Sequence, residues 1–212
     1  MSDQLVFYTN PMSRGRIVRW MLEEVGAPYR TEVLGYADSM KAPAYLAINP
    51  MGKVPAITHG GAVVTEAAAI CAYLADAFPA AGLAPPHGDK ARAPYYRWLF
   101  FAAGPVESAV TNKSMGFQLP AGQERMAGYG SFAAVVSVLE AAVSKTDYVA
   151  GDEFTAADVY FGSQIGWGMQ FGSLEKRPAF ETYWQRISGR PAAVRAREID
   201  DALIAAAAPA AT

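Results

Sequence analysis

The chain has 212 residues, of which 52% are apolar and 12% aromatic, and a net charge of −2. That is enough apolar material for one large core or two small ones, and it excludes a disordered chain. No basic stripe with interleaved aromatics is present, which excludes the cationic footprint of a nucleic-acid binder. No run approaches about eighteen apolar residues, so no segment reads as a membrane-spanning helix.

Cys71 is the single cysteine, which excludes an internal disulfide and any CxxC pair. The opening MSDQLVFYTN has no cationic stretch followed by an apolar run of signal-peptide length. The expected setting is a reducing one, the cytoplasm.

Through the first eighty residues the period of the apolar pattern changes repeatedly. Leu5 to Tyr8 reads as a buried strand. Ile17, Val18, Met21, Leu22 and Val25 recur at helical spacing, with Arg16, Arg19, Glu23 and Glu24 opposite. Gly26 stops that helix. Tyr29 to Leu34 alternates as a second strand, and one helical turn is expected near Ala44 to Ala47. Ala56 to Thr58 and Ala62 to Thr65 flank His59-Gly60-Gly61, a hairpin signal. Glu66 to Phe78 reads as a helix.

Residues Pro79 to Gly88 hold three prolines and two glycines and read as a linker. Every periodic segment beyond them is helical. Tyr95 to Phe101 opens one helix, and steps of three and four from Met126 to Val143 mark another. A third runs from Thr155 to about Gly166, with Gly166 to Phe171 following it. Pro178 to Ser188 forms a fourth, closed by Gly189. The alanine-rich tail from Ala205 is expected to fray.

Three segments carry chemistry. In Asn49-Pro50-Met51-Gly52-Lys53-Val54-Pro55, a proline ahead of a strand suits a cis bond. It would turn the Val54 backbone outward to pair with a peptide-shaped ligand; an ordinary trans turn is the alternative. Thr65-Glu66 precedes a helix whose N-terminus suits a carboxylate, with Glu66 available to an ammonium. Simple helix capping is the competing role.

Ser13 stands where the first helix begins, and two roles are open to it. Its oxygen can cap backbone N–H groups, or its hydroxyl can donate to a ligand thiolate. A thiol ionising at about pH 8.5–9 needs roughly 2.7 kcal/mol to move down by about two units. A hydroxyl donor to an anion supplies about 1.5–3 kcal/mol. A helix N-terminus adds about 0.3–1 kcal/mol. No metal is then needed, and His59 and His87 show no ligand spacing. The Arg14, Arg16 and Arg19 cluster reads as a solvated or dimer-facing helix side, and Cys71 as buried and inert.

Together, Ser13-Arg14-Gly15-Arg16-Ile17-Val18-Arg19-Trp20, Asn49-Pro50-Met51-Gly52-Lys53-Val54-Pro55-Ala56-Ile57 and Thr65-Glu66-Ala67-Ala68-Ala69-Ile70 resemble the cytosolic glutathione transferases. Within Gly151 to Asp158, Thr155 and Asp158 resemble that family's buried capping box. The likeness covers nearly the whole chain and points to a bacterial-like, serine-type member. It implies an α/β plus all-α architecture. A thioredoxin-like βαβ-ββα domain over residues 1–80 would hold glutathione, and a helical domain over 89–205 would hold the acceptor pocket.

The resemblance further implies glutathione as co-substrate, a small apolar electrophile as its partner, a homodimer, and no metal. Val54 would hold the cysteinyl part through its backbone beside cis Pro55. Glu66 and the N–H of Ala67 would hold the γ-glutamyl part, and Lys41 or Lys53 the glycine carboxylate. Ser13 matches the thiolate-stabilising serine, with Tyr8 and Asn10 as alternatives in the same loop. Many members have serine where this chain has Ala67, which removes one hydroxyl donor. Met12, Phe101 and Trp167 are the candidate acceptor-pocket wall. A peroxidase, isomerase or dehalogenase on the same fold, or a non-catalytic binding protein, would share these features.

Overall fold

The computed structural model describes residues 4–207. In chain order the elements are β1 (Leu5–Thr9), α1 (Gly15–Val25), β2 (Tyr29–Val33), α2 (Pro43–Leu46), β3 (Ala56–His59), β4 (Ala62–Thr65) and α3 (Ala67–Ala77). There follow α4 (Arg92–Phe101), a π-helical turn (Ala102–Val106), α5 (Glu107–Ser114), α6 (Phe132–Val143), α7 (Ala156–Phe171), α8 (Pro178–Ser188) and α9 (Pro191–Ala207). The chain divides into two compact units. One holds the described residues up to Ala81 and those from Arg190 onward; the other is Gly82–Gly189. The helical region expected over 89–205 is therefore not one body, because its last helix packs with the first unit.

In the first unit the strands run in the order β2-β1-β3-β4, with β1 and β2 parallel and the other pairs antiparallel. Alternation sends Leu5, Phe7 and Thr9 to one face, and helices α1 and α3 pack against that unit's sheet and each other. Val6 and Tyr8 point the other way, where Tyr8 meets a cluster of Met40, Tyr45 and Ala56. Ile17, Val18, Met21 and Leu22 are all buried, as their spacing requires. Gly26 ends α1 at φ 71°, in the left-handed region glycine tolerates.

Helix α9 lies along α1, which sequence periodicity did not show. The two helices carry complementary charges in opposite order. Arg16 pairs with Asp201 at 2.6 Å, Arg19 with Asp200 at 3.2 Å, Glu23 with Arg195 at 3.3 Å and Glu24 with Arg190 at 2.7 Å. Arg19 is thus not on a solvated or dimer-facing side, and Arg16 pairs with Asp201 at the exposed edge of the α1–α9 contact. Arg19 is 2% exposed, lies 5.0 Å over the Phe7 ring, and donates to Tyr29 and Thr31 as well. Residues 205–207 continue the helix rather than fraying, and the tail beyond them lies outside the described residues.

In the second unit α4 runs through the π-helical turn into α5. Pro105 sits inside that turn; lacking an N–H, it cannot make the α-helical bond, and the wider spacing absorbs the loss. Trp98, Phe161 and Tyr183 stack edge to face in the core. Helix α6 begins at Phe132 and not near Met126, because Gly130 at φ 67° breaks the pattern and Ser131 caps the helix through Ala134 N–H. Helix α7 extends to Phe171, so Trp167 lies within it rather than after it. Its capping box forms as expected from Thr155 and Asp158. Asp158 also accepts from Val149 N–H at 2.7 Å and the Tyr183 hydroxyl at 2.8 Å. Burial pushes its carboxyl up from the ordinary range, against these donors.

Candidate functional site

Strand register places the three chemistry-bearing segments at one end of the sheet. Tyr8 pairs with Ala56, and Ala56 pairs with Thr65. The turn after β1, the segment before β3 and the residue after β4 therefore lie side by side. Both α1 and α3 begin at this end. The first N–H groups of α1 are bonded to Ser13 and Arg14, and the mouth of α3 presents its N–H groups to the site.

The Val54–Pro55 bond is cis. Pro55 is buried and Val54 half buried, and the Val54 backbone takes no hydrogen bond among the described residues. The residues just ahead are firmly held. The Lys53 carbonyl accepts from the Tyr45 hydroxyl at 2.6 Å and from Asn49 Nδ2 at 2.8 Å. The Gly52 carbonyl accepts from Lys41 Nζ at 2.8 Å. Gly52 itself needs its missing side chain twice over. Its φ is 56°, and a Cβ would sit 2.8 Å from the Met40 carbonyl and 3.0 Å from Lys41 Nζ. Lys53 is exposed, while Lys41 spends one of its three donors on this loop.

Glu66 is the only non-glycine residue with positive φ among the described residues, at φ 67° and ψ 115°. It is exposed, its side chain does not cap α3, and its carbonyl accepts Ile70 N–H at 2.9 Å. Capping is thus not its role. The backbone holds a side chain at a conformation that only surrounding structure sustains. Ala67, Ala68 and Ala69 follow, and they leave the helix mouth bare of side-chain oxygens.

Ser13 is half buried and takes the first of the two roles open to it, capping the start of α1. Its Oγ accepts from Gly15 N–H at 2.9 Å, and its hydroxyl donates to the Asn10 carbonyl at 2.7 Å. That carbonyl also receives Ser13 N–H at 3.0 Å. Asn10 is committed to the turn: Nδ2 donates to the Leu34 carbonyl and Oδ1 accepts from Met12 N–H. Tyr8 is half buried, with its ring 5.6 Å from that of Tyr45 on the sheet face away from α1. Met12 is 68% exposed one residue ahead of Ser13. In the second unit Phe101 and Trp167 are each half buried, Phe101 packing edge to face on Trp98.

Cys71 is fully buried, and burial pushes its thiol well up, so it is inert as expected.

Sequence reasoning missed Tyr45 and Asn49 as the clamps on Lys53. One signal was available. Asn10-Pro11 and Asn49-Pro50 are the same dipeptide, and in each the Asn oxygen accepts the N–H two residues on while its amide donates to a carbonyl further along the chain, that of Leu34 or of Lys53. Asn-Pro marked both turns that frame the site.

A mixed four-stranded sheet with helices beginning beside a cis-proline loop defines a thioredoxin-like ligand-binding unit, here joined to an all-helical one. The family model for the glutathione S-transferase N-terminal domain matches residues 12–77, and that for the C-terminal domain matches residues 119–191. Glutathione S-transferase F10 of Arabidopsis thaliana is 30% identical over 171 residues, covering 72% of this chain and 76% of its own. Glutathione S-transferase GST-4.5 of Xanthomonas campestris pv. campestris is 27% identical over 177 residues, covering 81% and 84%. A solved sphingomonad glutathione S-transferase complexed with glutathione is similar with a TM-score of 0.76 and 28% identity, over 92% of this chain and 98% of that one. The chain belongs to the glutathione S-transferase family and is a transferase enzyme. No helix among the described residues is long and apolar enough to cross a membrane.

Proposed function

We propose that the protein binds glutathione in its first unit, stabilises the thiolate at Ser13, and transfers it to a small apolar electrophile. The observation that carries this reading is the convergence at one sheet end of Ser13, the unpaired Val54 backbone and the strained Glu66 at the mouth of α3. An extended peptide can pair with Val54 as an added strand. The γ-glutamyl carboxylate meets the N–H groups from Ala67 onward, and its ammonium meets Glu66. Lys53 and Lys41 supply cations for the glycine carboxylate.

The local bonding of Ser13 supports the thiolate role. If its hydroxyl turns from Asn10 to a sulfur anion, the Asn10 carbonyl keeps Ser13 N–H and is not orphaned. Gly15 N–H, still donating to Oγ, strengthens the hydroxyl as a donor. The thiol proton leaves to solvent, the sulfur lone pair forms a bond to the electrophilic carbon, and the leaving group departs with its electron pair. Catalysis rests on thiolate stabilisation and proximity. Met12, exposed and next in sequence to Ser13, is the first unit's candidate for holding the electrophile. A cytoplasmic homodimer completes the reading.

The test is the ultraviolet thiolate absorbance of bound glutathione against pH, with turnover of a generic aryl halide. Ser13→Ala is expected to raise the ionisation midpoint and lower kcat/KM about tenfold or more. Equal values for Ser13→Ala and the parent, with loss in Tyr8→Phe, would transfer the role to Tyr8.

A further inference from the structure

The four ion pairs between α1 and α9 are not equivalent. Arg19–Asp200, Glu23–Arg195 and Glu24–Arg190 hold helix to helix or to the second strand. Of the four α1 residues in these pairs, Arg16 is the one that also bonds the turn ahead of the helix. Its Nη2 donates to Asp201 Oδ1 at 2.6 Å, and its Nη1 donates to the carbonyl of Pro11 at 3.4 Å. Pro11 is two residues ahead of Ser13, in the turn whose other ties are Asn10 to Leu34 and the Tyr36 hydroxyl to the Met12 carbonyl. The guanidinium therefore joins the thiolate turn to a carboxylate 185 residues away along the chain.

The Asp201 side chain is 57% exposed. An exposed pair of this kind contributes little to folding. The buried Arg19–Asp200 pair, one turn away, already secures α9. What Asp201 adds is direction: it fixes which way the Arg16 fork points, and the fork fixes the Pro11 carbonyl. The charged groups around Arg16 are Arg14 and Arg19 on its own helix and Asp200 and Asp201 on α9.

We propose that Asp201 is a positioning residue for the thiolate site, acting through Arg16 on the Pro11–Ser13 turn. This rests on the reading that the turn stabilises the glutathione thiolate. The C-terminal helix then does more than complete the first unit, because its last turns set the geometry in which the hydroxyl meets the sulfur.

The experiment compares the parent, Asp201→Asn, Ser13→Ala and the double variant in the full-length protein. It measures the thiolate midpoint of bound glutathione, kcat, KM for glutathione, and Tm. Asp201→Asn is expected to raise the midpoint by about half a unit and lower kcat about threefold. KM for glutathione should stay within about twofold, since its grips at Val54 and Glu66 are untouched. Tm should hold to within about 2 °C. The double variant should be no worse than Ser13→Ala, as expected of two residues acting on one step. A lowered midpoint would mean that the freed Arg16 charge acts directly on the sulfur, and would overturn the positioning role. So would a fall in Tm with an unmoved midpoint. If Asp201→Asn shifts the midpoint while Ser13→Ala does not, the tether stands and the serine assignment falls.

Discussion

Replacing Glu66 separates what this position costs the fold from what it gives the site. Its φ of 67° with ψ of 115° lies where an L side chain is held only under strain, of order 1–3 kcal/mol. Glu66→Gly removes that strain but adds glycine's greater freedom in the unfolded chain, about 0.5–1 kcal/mol. Glu66→Ala keeps the strain. Both lose the carboxylate, so the difference between them isolates the backbone. With about 2 kcal/mol of strain set against about 0.75 kcal/mol for glycine, Glu66→Gly is expected to be the more stable by about 1 kcal/mol, which for a chain of this size is a Tm difference of about 2–4 °C. Both should bind glutathione roughly ten- to a hundredfold more weakly, because a charged hydrogen bond worth about 1.5–3 kcal/mol is gone. Differential scanning fluorimetry and isothermal titration give the two quantities. Equal Tm values for the two variants would refute the strain argument. Unchanged affinity in both would refute the ammonium contact.

Three further outcomes follow from named contacts. A methyl group at Gly15 would overlap Thr9 Oγ1 and come within 3.0 Å of Ser13 Oγ. Gly15→Ala should therefore destabilise by about 1–3 kcal/mol in urea unfolding, and a second change of Thr9→Ala should recover part of it. Asp158→Ala strands the Val149 and Thr155 N–H groups and the Tyr183 hydroxyl in the core. It should cost about 3–5 kcal/mol, with Asp158→Asn losing less. Burial pushes the Tyr45 hydroxyl up to about 12, its bond from Asn49 opposing, whereas an unfolded tyrosine ionises near pH ~10. The native state then keeps a proton that the unfolded chain loses, so stability falls as pH rises through this window. Urea midpoints between about pH 10 and 12 should fall less steeply in Tyr45→Phe.

Local chemistry made much of the first unit, and the start of α7 in the second, legible. The buried faces of β1 and α1, the stop at Gly26, the hairpin turn at His59-Gly60-Gly61 and the capping box at Thr155 and Asp158 each depend on neighbours within a few residues. Patterns of that range survive folding largely intact. The α6 start shows the limit of the same method. Met126 and Tyr129 keep the helical step, but Gly130 and Ser131 between them and Phe132 reset the backbone, and turn chemistry outweighs periodicity. The candidate site residues were readable because a proline before a strand and a charged residue before a helix leave marks in the chain. Asn49 was marked only by its Asn-Pro dipeptide, and Tyr45 left no mark of its role, because the carbonyl it grips carries no side-chain signature.

By itself, then, the sequence determined the elements from β1 to α3, the linker that follows them and the identity of the residues at the sheet end. Those follow from side-chain period, backbone stiffness and capping, all short-range terms. The tertiary structure alone decided that Arg19 is buried against Asp200 of α9 and that Glu66 takes a left-handed φ. Each is settled by a partner far along the chain or by closure of the sheet, and an ion pair or a strained φ has no energy until both halves have been brought together.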